Sequence, residues 1–216
     1  MSDLRDLPQP VICHRDLMLA TPGKLFSAAG WIFELKYDGF RCLTTKWGDA
    51  VRLESRSGRD MTEYFPELVE AARAVGHDFV ADGELVVLDE NGRSQWDRLR
   101  QRHALRSSSR IARAAQEQPA AIFAFDLLWL DGEDRRQRPL LERKSRLYDV
   151  LGQRGRIRHA GHFAASSAEL WQLAVELELE GIVAKDAASS YTAGRSTRWQ
   201  KIKTDIGSER ERQRRA

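Results

Sequence analysis

Trp31-Ile-Phe-Glu34-Leu-Lys36-Tyr-Asp38-Gly39-Phe-Arg41 is the stretch on which the reading of the chain turns. Trp31, Ile32, Phe33 and Leu35 make a β-prone run, and Asp38-Gly39 is a pair that favours a tight turn. Lys36 is therefore expected at the end of a strand beside a turn, which holds its side chain at the mouth of a pocket. A lysine amine is ordinarily protonated, with a reference pKa of about 10.4, and must lose that proton before it attacks phosphorus. Partial burial, neighbouring cations or a bound metal would lower that pKa. Taken alone, the same stretch also describes a surface lysine before a hairpin.

Outward from this point, strand-like runs lie at Arg41–Thr45, Val51–Ser55, Phe79–Leu88, Ala121–Leu130, Gly181–Lys185 and Arg198–Lys203. They are rich in Val, Ile, Phe and Trp and bounded by Gly, Asp and Asn. Helical periodicity falls at Glu63–Val75, Gln95–Arg102, Arg110–Gln118, Leu140–Leu151 and Ser166–Leu179, the last with Ser166 or Ser167 as its cap. Strands outnumber helices without strict alternation, which predicts an α+β domain of antiparallel sheets with helices on their outer faces. That domain is expected to occupy residues 1–206. The tail 207–216, apolar only at Ala216, is expected to be disordered.

Composition excludes whole classes. With 42% hydrophobic and 31% charged residues, the chain is neither a disordered polymer nor a membrane span. Two cysteines, Cys13 and Cys42, are too few for a disulfide scaffold, and the first ten residues carry no apolar run. A reducing cytoplasm is the expected location. The net charge of +3 decides little. Seven arginines between Arg93 and Arg113, against Asp97 alone, either track phosphates or form a solvated helix face.

Other segments carry polar groups where folding does not ask for them. Asp82-Gly83-Glu84 sets a carboxylate in an apolar strand, which is costly unless it is paired, coordinated or exposed, and Phe123-Ala-Phe125-Asp126 offers aromatics on one face of another strand. Glu180-Gly181-Ile-Val-Ala-Lys185 brackets a short strand with an acid and a lysine. In Trp199-Gln-Lys201-Ile-Lys203 the two lysines share a strand face, and Trp199 and Gln200 are expected off that register or opposite.

In order, Lys36-x-Asp38-Gly39-x-Arg41, Ser55-Arg56-x-Gly58, Asp82-Gly83-Glu84, Phe123-x-Phe125-Asp126, Glu180-Gly181-x-Val183-x-Lys185 and Trp199-x-Lys201-x-Lys203 resemble the six successive motifs of the covalent nucleotidyltransferases. That superfamily comprises DNA ligases, RNA ligases and mRNA capping enzymes, and the resemblance runs from about Leu19 to Lys203. Met18-Leu-Ala20, Phe125-Asp-Leu-Leu-Trp-Leu-Asp-Gly132 and Tyr191-x-x-Gly194-Arg195 look most like bacterial ATP-dependent DNA ligases of the end-joining type.

The resemblance implies an ATP-grasp-like adenylation domain with two antiparallel β-sheets flanked by helices. It implies an enzyme, an ATP-dependent DNA ligase in DNA repair, that forms lysyl-AMP on Lys36 and passes AMP to the 5′-phosphate of nicked DNA. Lys201 and Lys203 would act with Lys36 at the α-phosphate, joined by Lys185. Phe125, with Phe123 as the alternative, would stack on adenine beside Glu34. Arg41 and Glu84 would hold the ribose, and Arg56 a phosphate. Glu84 and Glu180 would hold Mg²⁺ or Mn²⁺, as hard oxygen donors do. Nicked or broken double-stranded DNA is the implied partner, in the nucleoid. Ligases of this type carry an OB-fold domain after the last motif, and the thirteen residues after Lys203 cannot make one. Three explanations stand open: a truncated piece of a longer protein, a natural minimal protein, or a separate OB-fold or end-joining protein that supplies the domain. An RNA ligase, or a nucleic-acid-binding module that keeps the fold without turnover, are the competing readings.

Overall fold

The computed structural model describes residues 10–164 and 167–215. In chain order the elements are β1 (Met18–Pro22), β2 (Trp31–Lys36), β3 (Phe40–Trp47), β4 (Ala50–Ser55), α1 (Pro66–Arg73), β5 (Phe79–Val87), α2 (Trp96–Ala104), α3 (Ser108–Glu117) and β6 (Ala120–Leu130). They continue with β7 (Glu133–Asp134), α4 (Leu140–Leu151), β8 (Ile157–His159), β9 (Phe163–Ala164), α5 (Ala168–Glu176), β10 (Gly181–Asp186), β11 (Gly194–Lys203) and α6 (Asp205–Arg215).

Two sheets result. One has the order β1-β11-β10-β2-β9; the other has β4-β3-β5-β6-β7, with β8 also paired to β6. Most neighbours are antiparallel, but β1 runs parallel to β11 and β8 parallel to β6. Neither β1 nor β8 stands out in the sequence, because five- and three-residue strands leave too few alternations to read. Ser166 lies outside the described residues. Ser167 precedes α5, but its Oγ meets Ser27 Oγ at 3.1 Å and does not cap the helix.

Alternation along each strand sorts side chains into three cores. Phe33, Ile182, Ala184 and Ile202 turn to one face of the first sheet, where Leu170 and Ala174 of α5 cover them. Leu53, Phe79, Leu85 and Ile122 face Leu68 of α1, Leu99 of α2 and Leu147 of α4 on the outer side of the second sheet. Met18, Leu43, Val80, Leu128, Tyr191 and Trp199 join the two sheets. Burying each large apolar side chain removes about 1.5–3 kcal/mol of unfavourable hydration. The cleft opens where this joint ends.

The expected disordered tail is helical. Thr204 Oγ1 accepts from Gly207 N at 3.1 Å and donates to Leu179 O at 2.8 Å, so the helix start is fastened to the connection between α5 and β10. Glu209 pairs with Arg212 and Gln213 at helical spacing. Gly207 packs so closely that a Cβ there would lie 2.1 Å from Glu180 O. Low apolar content hid a helix that docks by backbone contact and charge.

Candidate functional site

Ten side chains singled out by sequence line one cleft of about 790 Å³: Glu34, Lys36, Arg41, Arg56, Glu84, Phe125, Glu180, Lys185, Lys201 and Lys203. Strand register explains the convergence. In the first sheet Gly181 sits between Lys36 and Lys203, Val183 between Glu34 and Lys201, and Lys185 between Ile32 and Trp199. Trp199 therefore lies on the same face as Lys201 and Lys203, correcting the expectation that it turns away; residues two apart on a strand share a face. Gly39 is required by proximity rather than by its turn, since a Cβ there would meet Leu85 O at 2.2 Å. This close approach brings the β2–β3 turn, and Lys36 with it, against β5.

Lys36 Nζ donates to Glu180 Oε2 at 2.7 Å, and Lys203 Nζ lies 2.5 Å from Glu180 Oε1. Burial pushes the Glu180 carboxyl up, but Lys36 and Lys203 outweigh it and hold its pKa below the ordinary value. Lys203 also meets Glu211 of α6 at 3.1 Å. Burial, then Lys203, lowers the Lys201 pKa. Across the cleft, burial raises Glu84 to about 7, against the pull of Lys36 and Arg41 and with the push of Glu180 and Asp38. The site thus pairs one carboxylate held ionised with one poised near neutrality, beside three amines.

Behind these groups lies a second, buried set. Glu34 accepts from Lys185 at 2.8 Å and lies 2.8 Å from Lys144 of α4. Burial pushes its pKa up, yet the two lysines bring it below the usual value. The Lys185 amine sits 4.2 Å from the Phe125 ring centre and 4.1 Å from that of Trp199, and burial lowers its pKa to about 8. Lys185 thus stands with Glu34 and the aromatics rather than with Lys201 and Lys203, because Gly181 to Lys185 spans a whole strand. Phe125 also carries Arg41 at 4.7 Å, whereas Phe123 stacks on Tyr37 with ring centres 4.1 Å apart.

Arg41 is not free to swing. Its Nε and a terminal nitrogen reach the two oxygens of Asp82 at 2.5 Å each, and the same terminal nitrogen donates to Met18 O at 2.9 Å. Tyr191 Oη donates to Asp82 at 2.5 Å and accepts from Met18 N at 3.0 Å. Arg41 therefore presents a fixed guanidinium edge. Arg56, in the turn after β4, is exposed at the rim.

Sequence reasoning missed Lys144, Trp199 and the Asp82–Tyr191 pair as parts of the site. Glu34 between Phe33 and Leu35 was the signal: a carboxylate in an apolar strand calls for a cation. The sequence does not say which one. Lys144 lies in a charge-rich helix, yet it is 1% exposed.

Among the described residues no group of three or more His, Cys, Asp or Glu side chains is placed to hold a metal. Mg²⁺ does not require one, since it commonly binds through one or two carboxylates together with water and substrate phosphates. Glu84 and Glu180 line the same cleft and supply such donors, so the residue set fits.

Residues 18–203 match the family described as ATP dependent DNA ligase domain. The chain belongs to that family. It is 35% identical over 182 residues to the multifunctional non-homologous end joining protein LigD of Pseudomonas aeruginosa, covering 83% of this chain and 21% of that protein. The ligase domain of M. tuberculosis LigD superposes with a TM-score of 0.73 at 31% identity, covering 87% of this chain and 60% of that one. A mycobacterial DNA ligase D complexed with ATP and MES superposes with a TM-score of 0.66 at 31% identity, with the same coverage. The chain thus spans about a fifth of the full-length relative and three fifths of the solved ligase chains. The α+β class and the two-sheet architecture of this ligase domain agree with those structures. No helix among the described residues is long and apolar enough to cross a membrane.

Proposed function

We propose that this domain adenylates itself on Lys36 with ATP and passes the AMP to the 5′-phosphate of nicked or broken double-stranded DNA, for strand sealing in repair. The observation that carries this is Lys36 Nζ held 2.7 Å from Glu180, in a cleft shared with Lys201, Lys203 and Glu84. In the first step the Lys36 lone pair attacks the α-phosphorus. The bond from that phosphorus to the bridging oxygen breaks, pyrophosphate leaves with its electron pair, and the proton shed by the amine passes to Glu180, which already accepts from it, and on to solvent. AMP then moves from Lys36 to the DNA 5′-phosphate, and the 3′-hydroxyl displaces AMP to close the strand.

Each step gathers charge on non-bridging phosphate oxygens, where preorganised cations stabilise the transition state most. Lys201 and Lys203 take that role. Glu180 orients the Lys36 amine. Phe125, with Trp199 edge-on at 5.9 Å, forms the apolar wall for adenine, and Glu34 with Lys185 fixes that wall from behind. Arg41 and Glu84 face the ribose, and Arg56 meets a phosphate at the rim. Glu84 and Glu180 would hold Mg²⁺ or Mn²⁺, which neutralises phosphate charge when bound. Action at the cytoplasmic nucleoid, with a separate OB-fold or end-joining protein as partner, completes the proposal.

The test is incubation with α-labelled ATP or GTP and Mg²⁺ followed by a denaturing gel, beside Lys36→Ala. Label from ATP alone, absent in the variant, is the expected result. Label from GTP alone, or label that survives in Lys36→Ala, would sink the reading.

A further inference from the structure

The arginine-rich stretch from Arg93 to Arg113 takes no part in the nucleotide chemistry, and the fold sorts its members. Arg93 reaches Glu176 O and the Glu178 carboxylate. Arg102 is a buried pin, donating to Ala114 O and Gln118 O and paired with Glu67 at 2.9 Å. Arg113 pairs with Glu117 at 2.6 Å. Arg98, Arg100, Arg106 and Arg110 remain exposed.

Two of these continue a line that starts in the cleft. Arg56 and Arg59 line its rim from the turn after β4, and His103 lines it from α2. Arg59 shares the cleft rim with His103, and Arg106 donates to His103 O; burial, then these two cations, holds the His103 pKa below its ordinary value. Arg106 lies 5.3 Å from the Tyr64 ring centre and donates to His103 O and Leu105 O, so it is anchored at the C-terminal end of α2, where a cation is favoured. Arg100 stands one turn before His103 on the same side of α2, and Asp97 is the only acid in that helix. Arginine forks suit phosphate oxygens, and contacts to phosphate set register and orientation on a duplex without reading sequence.

The geometry points to a backbone-phosphate track: a DNA strand whose terminal phosphate enters the cleft at Arg56 runs over Arg59, Arg106 and Arg100 along the outside of α2. The track rests on the reading of the cleft as one that adenylates a DNA 5′-phosphate.

The test is fluorescence anisotropy of a labelled nicked duplex over a salt series, with the wild-type chain, Arg100→Gln and the Arg100→Gln/Arg106→Gln pair. Melting curves guard against loss of fold, and Arg100→Gln, at an exposed site, is the variant that keeps the test alive if the pair unfolds. Each lost phosphate contact lowers the steepness of log K against log salt by about 0.9, so the single and double variants are expected to be shallower by about 0.9 and about 1.8. Affinity should fall alike for unrelated duplex sequences, while labelling of Lys36 by ATP stays at the wild-type rate. An unchanged slope overturns the track. So does a wild-type chain that labels Lys36 yet does not bind the duplex, and that result would leave the nucleotide chemistry intact. Binding with the expected slopes but no labelling would retain the track and overturn the adenylation reading. A preference for an RNA duplex would overturn the assignment to DNA.

Discussion

Replacing Asp82 by asparagine isolates the charge at the joint between the two sheets. Asp82 is fully buried, and its two oxygens take Arg41 at 2.5 Å each and the Tyr191 hydroxyl at 2.5 Å. Those partners also hold Met18 of β1, so the carboxylate of one sheet fixes the edge of the other. Asparagine keeps the shape but leaves a buried guanidinium without its counter-charge. Breaking such a pair from one side costs about 3–5 kcal/mol. At roughly 2–4 °C per kcal/mol for a chain of this size, the melting temperature should fall by roughly 6–20 °C. Tyr191→Phe, which deletes the hydrogen bond to the Asp82 carboxylate and leaves Met18 N without its acceptor, should cost about 1.5–3 kcal/mol or more. Thermal unfolding followed by circular dichroism at neutral pH reads both. The double variant should lose less than the sum of the two, because both act on one carboxylate. If Asp82→Asn melts within about 2 °C of wild type, the joint is not held by this charge and the argument fails.

Three further expectations follow from the cleft and its supports. Glu84 has a folded pKa of about 7 against an ordinary 4.5, so its contribution to stability is present below pH 4.5 and is lost as pH rises through 7; Glu84→Gln should gain on wild type between pH 5 and pH 8, by about 3 kcal/mol at most, and parallel melting curves at the two pH values would refute this. Gly39→Ala places a methyl 2.2 Å from Leu85 O and should destabilise by about 1–3 kcal/mol or more in urea titration, with self-adenylation reduced because Lys36 shifts; a neutral effect would mean that the turn yields freely. Glu211→Gln frees Lys203 from a half-exposed competitor and should tighten ATP binding by about two- to fivefold in calorimetry, the worth of a pair of about 0.5–1 kcal/mol; weaker binding would show that Glu211 supports the site instead.

Much of the site was legible because its parts lie on strands, where spacing in sequence fixes the face. Lys36 at a strand end, Lys201 two before Lys203, and Glu180 beside Gly181 need only the register of β2, β10 and β11 to converge. What stayed hidden depends on partners far apart in the chain. Nothing local says that Glu34 meets Lys144, or that Asp126 meets Arg143 at 2.6 Å, with both members of that pair fully buried. Arg143 and Lys144 are adjacent charged residues in a helix, yet both are buried. The tail was hidden in the same way: Arg210 and Glu211 reach Asp38 and Lys203, contacts that no count of apolar residues foretells.

Thr204 alone separates the end of β11 from the start of α6, and Gly207 seats the helix on the Glu180 backbone. Lys203 is therefore shared between the cleft and the helix. An anion that takes Lys203 from Glu211 removes one of the helix's anchors, and by reciprocity the helix resists that anion with the same free energy. Filling the cleft and holding α6 are thus coupled through this one ion pair, by no more than such a partly exposed pair is worth, about 0.5–1 kcal/mol.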